Sequence, residues 1–179
     1  MVQNVKEVPY GVSDFRTMVE QNIYYVDKTM YIPELEKQAR YIIFIRPRRF
    51  GKSVFLGMLH AYYDSHTKDK FEQWFGNLWI GKHPTPSQGR YQVLHLDFSM
   101  VGGNIDNLEE KFNFYLGVQL NGFVRYYDEY YSDMIKQNVY ATQDAGGKLA
   151  IIQNEAKMKD YPLYLIIDEY DNFTNTILN

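Results

Sequence analysis

The strongest constraint on how this chain folds is a run of five apolar residues, Tyr41-Ile42-Ile43-Phe44-Ile45, that breaks at Arg46-Pro47 and leads into Gly51-Lys52-Ser53. A short, continuous apolar run reads as a strand buried on both faces. The residues after it, 52–64, set Val54, Phe55, Met58, Leu59 and Tyr62 on one helical stripe. Two further apolar runs read as strands. One spans Val93 to Phe98. The other spans Leu163 to Ile167 and is closed by Asp168-Glu169. Between them a long amphipathic helix opens at Asn104 or Asp106 and carries Ile105, Leu108, Phe112, Tyr115, Leu116, Gln119, Leu120 and Phe123. Helix continues with a break through 125–143, and another helix lies near 146–158. Strands separated by helices of about ten residues or more imply an α/β fold, a three-layer α-β-α arrangement around a mainly parallel sheet.

Residues 1–40 read as a helix near 14–21, opened by Ser13-Asp14, and a second over 30–39 with Ile32, Leu35 and Ala39 on one side. Residues 65–90 are polar and broken, with Trp74, Phe75, Leu78 and Trp79 as anchors. A chain of 179 residues suits one domain and can bury a core without staples. Its net charge of −3 argues against a protein that coats nucleic acid. It has no cysteine, which excludes disulfides, thiolate catalysis and cysteine-based zinc sites. The histidines His60, His66, His83 and His95 have no metal-ligand spacing. No apolar run approaches the roughly 20 residues that cross a bilayer. The first residues lack a signal-peptide core. We therefore expect a soluble, cytoplasmic protein with no membrane partner. The aromatic cluster Tyr126-Tyr127-Asp128-Glu129-Tyr130-Tyr131 reads as helix packing or a self-association surface rather than a ligand platform.

The chemistry concentrates at two strand ends. Gly51-Lys52-Ser53 between a strand and a helix has the second half of the phosphate-loop pattern G-x-x-x-x-G-K-[ST], with Arg46 in the first glycine slot. Gly51 lets the backbone close around an anion, and the amides that open the next helix point at phosphate oxygens. Lys52 bridges terminal phosphates, and the Ser53 hydroxyl ligates magnesium. Arg46, Arg48 and Arg49 are candidate anion contacts, since a guanidinium fork suits phosphate. The amides through Phe50 and Val54 complete the cradle. At the end of the last strand, Asp168 is a candidate magnesium ligand and Glu169 a candidate general base. Asp171 is either their neighbour in the site or a solvated loop residue. The expected cofactors are ATP and Mg2+.

These residues resemble the AAA-ATPase-like domain family. The resemblance rests on Tyr25-Val26-Asp27-Lys28-Thr29, on Arg46-Pro47-Arg48-Arg49-Phe50-Gly51-Lys52-Ser53 and on Asp168-Glu169-Tyr170-Asp171. The stretches Gly11 to Phe15 and Leu96 to Ser99 support it. It covers nearly the whole chain and implies a P-loop fold of the ASCE type, nucleotide binding and ATP hydrolysis in the full-length protein. It also implies an adenine-side helical segment over 1–40 and an incomplete nucleotide-binding core over 41–179. Many members continue into a domain similar to PD-(D/E)XK nucleases. This chain stops eight residues after Asp171, so we expect an N-terminal portion without the sensor strand, arginine finger or nuclease-like tail. Such a portion should bind nucleotide with negligible turnover. It should also either pair 41–45 directly with 163–167 or associate through open sheet edges. Two alternatives stay open. One is a nucleotide-gated interaction switch. The other is the regulatory part of a nucleic-acid-processing protein that contacts nucleic acid only through the region beyond Asn179.

Overall fold

A computed structural model describes residues 6–38, 41–47, 49–101 and 105–171. They fall into two compact units, one within Met1–Gly89 and the other within Arg90–Asn179.

The first unit is helical. Helix α1 (Phe15–Glu20) starts where Asp14 accepts hydrogen bonds from the Thr17 amide at 2.8 Å and the Thr17 hydroxyl at 2.7 Å. That side chain satisfies an amide with no partner inside the helix. The expected helix over 30–39 is shorter, a 3-10 turn at Thr29–Tyr31 leading into α2 (Ile32–Glu36) with Ile32 buried. Ala39 lies outside the described residues. Helix α3 (Lys52–Tyr63) buries Phe55, Met58, Leu59 and Tyr62 as its stripe predicts, while Val54 is half-buried. Two short helices follow, α4 (Phe71–Phe75) and α5 (Trp79–Lys82). Aromatic rings fill this core. Phe15 stacks on Phe75 with centroids 5.1 Å apart, Tyr25 meets the Phe15 ring edge-on, and Tyr62 stands edge-on to Phe75. Helices α1 and α3 pack closely at Gly57, where a Cβ would make an ordinary contact with the Phe15 backbone at 3.8 Å.

The expected strand over 41–45 is not formed. Residues 42–47 have no regular structure, and Ile43 and Ile45 are 77% and 80% exposed rather than buried on both faces. Only Phe44 packs inward, stacking on Phe55 at 4.9 Å. The physical reason is that a strand needs a ladder partner as well as an apolar sequence. The first unit contains no other strand among the described residues. The strand expected over 41–45 to pair with 163–167 is thus absent among the described residues.

The second unit holds the sheet. Strands β1 (Gln92–Asp97) and β2 (Leu163–Asp168) pair in parallel, with Gln92 opposite Leu163 and Asp97 opposite Asp168. Among the described residues the sheet has these two strands, a smaller arrangement than the expected three layers. Between them run α6 (Leu108–Tyr126), α7 (Asp133–Ala141) and α8 (Ala145–Met158). A 3-10 turn at Ile105–Asn107 leads into α6, so Asp106 does not cap it; Asn104 lies outside the described residues. Asp144 caps α8 through the Gly147 amide at 2.6 Å. The core gathers Leu120, Phe123, Val124, Tyr127, Tyr131, Val139 and Ile152. Of the aromatic cluster, Tyr127 and Tyr131 pack inward, while Tyr126 is exposed. Tyr127 is fully buried, and its hydroxyl accepts a hydrogen bond from the Val93 amide of β1 at 2.7 Å. Tyr131 donates to the Gln92 side chain. Among the described residues no helix is long and apolar enough to cross a membrane.

Candidate functional site: a phosphate loop and a strand-end aspartate

In the first unit, the segment from Arg46 into α3 has the build of an anion loop. Arg49 and Gly51 both take left-handed backbone conformations, at φ 67° and 74°. Gly51 does so without strain, because it has no Cβ to clash. Phe50 donates its amide to the Pro47 carbonyl at 3.3 Å, closing a turn, and the Phe55 amide reaches the Gly51 carbonyl at 3.1 Å, starting the helix. The first amides of a helix have no carbonyl partner within it. Gly51 occupies the N-cap position and brings no side chain to cap them. Backbone curled this way, at the positive end of a helix dipole, has the geometry that suits an anion. Lys52 and Ser53 stand in the first turn of α3, half-buried.

Arg46 fills the first glycine slot and braces the loop. Its Nη1 donates to the Phe50 carbonyl at 3.0 Å, and its guanidinium lies 5.2 Å from the centre of the Phe44 ring. A side chain thus ties the two ends of a loop that glycine would leave loose. Arg49 and Phe50 are exposed, and Arg48 lies outside the described residues.

A residue from the Tyr25–Thr29 stretch joins the loop, which motif reading did not assign to the site. The Lys28 Nζ stands 3.8 Å from the point a Cβ on Gly51 would occupy. Its neighbours on both sides are pinned elsewhere. The Asp27 Oδ1 accepts from the Thr29 amide at 2.8 Å and hydroxyl at 2.7 Å, and Oδ2 accepts from the Trp79 amide at 2.7 Å. The Thr29 hydroxyl in turn accepts from the Ile80 amide at 3.1 Å. Asp27 and Thr29 therefore cap α5 from a distant segment. Partial burial, and then repulsion from Arg46, hold the Lys28 ammonium below the ordinary lysine range.

In the second unit, Asp168 ends β2 with only 4% of its surface exposed. Its Oδ1 accepts from the Glu169 amide at 2.9 Å, and Glu169 turns the chain through a left-handed conformation at φ 54°. A non-glycine residue held there marks a turn fixed by its surroundings. The parallel register sets Asp97 beside Asp168, giving two aspartates at the carboxyl ends of adjacent strands. Asp97 is exposed and accepts from the Ser99 amide at 2.9 Å. The register could not be read from the sequence, although the Leu96–Ser99 strand end was already singled out there. Asp171 is half-buried. Among the described residues no group of three or more histidine, aspartate or glutamate side chains could hold a metal alone. The donors suit magnesium, which takes one or two protein oxygens and completes its shell with water and substrate phosphates. The apolar cleft over β1 and β2, about 120 Å³ and lined by residues such as Leu94, Leu116, Phe123 and Leu165, has no charged side chain in its wall and does not suit a polyanion.

Comparison with known proteins adds three findings. A family model, AAA-ATPase-like, described as a predicted AAA-ATPase, matches residues 9–179. A curated relative from Azotobacter chroococcum mcd 1, described as an uncharacterized protein in the vnfD 5′ region, is 44% identical over 55 residues. That stretch spans 30% of this chain and 11% of the relative's length. No solved structure matches.

Proposed function

Because the chain belongs to the AAA-ATPase-like family, a class with a coarse nucleotide-binding, ATPase-like role, we propose that it binds ATP with magnesium and that the full-length protein hydrolyses it. The observation that carries this reading is the left-handed Gly51 opening α3, with Lys52 and Ser53 in the first turn.

The roles follow from the chemistry of each group. The backbone around Gly51 and the amides of α3 hold phosphate oxygens, and Lys52 neutralises the terminal phosphates. Arg46 keeps the loop closed. Ser53 in the first unit and Asp168 in the second are each an oxygen donor that would suit magnesium, which would supply charge neutralisation on the phosphates. Glu169 takes the proton from the attacking water. Arg49 stands exposed beside the loop and adds positive charge at its rim.

Calorimetric titration of the chain with magnesium-ATP tests the reading. Wild type binds, and Lys52→Ala weakens binding by about tenfold or more. Equal affinity in the two proteins overturns the assignment of the loop. Tight retention of the nucleotide, rather than ready exchange, favours a nucleotide-gated switch over a cycling hydrolase.

A further inference from the structure

We propose that Lys28 is a second phosphate-binding lysine of the loop, contacting the phosphate chain of a bound nucleoside triphosphate alongside Lys52. The inference deepens the nucleotide reading above and rests on it.

The argument begins with where the charge is and what it lacks. Lys28 Nζ lies at van der Waals distance from the space over Gly51, the residue whose conformation shapes the anion concavity. Among the described residues no carboxylate forms an ion pair with Lys28. The nearest acid in sequence, Asp27, is committed to the amides of Thr29 and Trp79 and to the Thr29 hydroxyl. The charge that Lys28 does feel is the like charge of Arg46. A lysine held half-buried beside an arginine, with no carboxylate paired to it among the described residues, is an unfavourable arrangement. An anion in the loop reverses it.

The position is also built rather than incidental. Asp27 and Thr29 fasten the backbone on either side of Lys28 to the start of α5. The lysine stem is therefore supported from a fixed base, which lowers the entropy lost when its ammonium engages a ligand. Tyr25 packs edge-on against Phe15 and anchors the same segment to α1. Two lysines and the braced Arg46 around one curled backbone suit a chain of several phosphates better than a single one.

The test titrates the full chain with magnesium-ATP, magnesium-ADP and inorganic tripolyphosphate in four forms: wild type, Lys28→Met, Lys28→Arg and Lys52→Ala. Lys28→Met is expected to weaken ATP and tripolyphosphate by about tenfold, with its unfolding midpoint no lower than wild type. Lys28→Arg, which keeps the charge, should recover most of the affinity. If Lys28→Met stays within about twofold of wild type while Lys52→Ala loses binding, this inference falls and the nucleotide reading stands. If tripolyphosphate binds in a Lys28-dependent way and ATP does not, the phosphate role of Lys28 stands and the nucleotide reading falls. A wild-type chain that binds neither ligand overturns both.

Discussion

Lys28 Nζ stands 3.8 Å from where a Cβ on Gly51 would sit, so the loop glycine faces a cation across an ordinary van der Waals gap. An alanine side chain would fit that space. What it would not tolerate is the backbone, held at φ 74°. A left-handed conformation costs an L-residue about 1–2 kcal/mol. We expect Gly51→Ala to lose about 1 kcal/mol of stability in urea unfolding, with nucleotide affinity reduced as the loop relaxes. Gly51→Asn should lose less than alanine, because asparagine enters this region more readily. If alanine and asparagine cost the same, steric contact rather than backbone strain governs the position.

Asp27 has a structural job that its charge disguises. Its carboxylate accepts three hydrogen bonds, two of them from backbone amides, and one of these caps α5 from a distant segment. Asp27→Ala should cost about 2–3 kcal/mol, since bonds to a charged acceptor are among the stronger ones and the amides lose their partner. Asp27→Asn keeps one acceptor oxygen, enough for the two Thr29 bonds but not for the Trp79 amide, and should cost less than alanine. Thermal unfolding checks the order. If Lys28 acts as inferred, Asp27→Ala also lowers tripolyphosphate affinity at temperatures where the chain remains folded.

Lys28 also gives the chain a pH signature. Its folded pKa lies below the ordinary value of 10.5, through burial first and then Arg46, and no carboxylate pairs with it among the described residues. Between the folded and unfolded pKa values the unfolded chain carries more protons than the folded one. Stability of the ligand-free protein therefore rises with pH across that interval. A bound phosphate favours the charged ammonium and raises its pKa, so binding takes up protons there. Titrations in two buffers of different ionisation enthalpy should show uptake at alkaline pH in wild type and a clear reduction in Lys28→Met. Equal uptake in the two proteins would place the proton on another group.

The parts of the fold legible in the sequence were those fixed by local pattern. The β1 and β2 runs, the stripe of α3 and the cap at Asp14 each depend on residues a turn or a strand apart. The run 41–45 failed because an apolar segment reports a need for burial but not whether a neighbouring strand exists to meet its amides. The candidate site divides in the same way. Gly51, Lys52 and Ser53 follow from one short motif. Lys28 reaches the loop only because Asp27 and Thr29 are tied to Trp79 and Ile80, contacts that no spacing in the sequence displays. Asp97 likewise joins Asp168 through strand register, which is settled by packing across the whole unit.

The second unit offers a prediction independent of any ligand. The Tyr127 hydroxyl is buried at the junction of α6 and β1, where it accepts the Val93 amide at 2.7 Å. Phenylalanine preserves the ring and its packing against Phe123 at 4.8 Å but removes that acceptor. A buried donor left without a partner costs about 1–3 kcal/mol. Tyr127→Phe should therefore lower stability by that amount in urea unfolding, and amide exchange at Val93 should quicken relative to its neighbours in β1. Tyr140→Phe, at a side chain 41% exposed on α7, is the comparison and should change stability much less. If Tyr127→Phe loses no more stability than Tyr140→Phe, ring packing rather than the hydroxyl holds α6 to the sheet. If Tyr127→Phe alone is destabilised, the buried hydroxyl is the fastening that sets β1 against the helix.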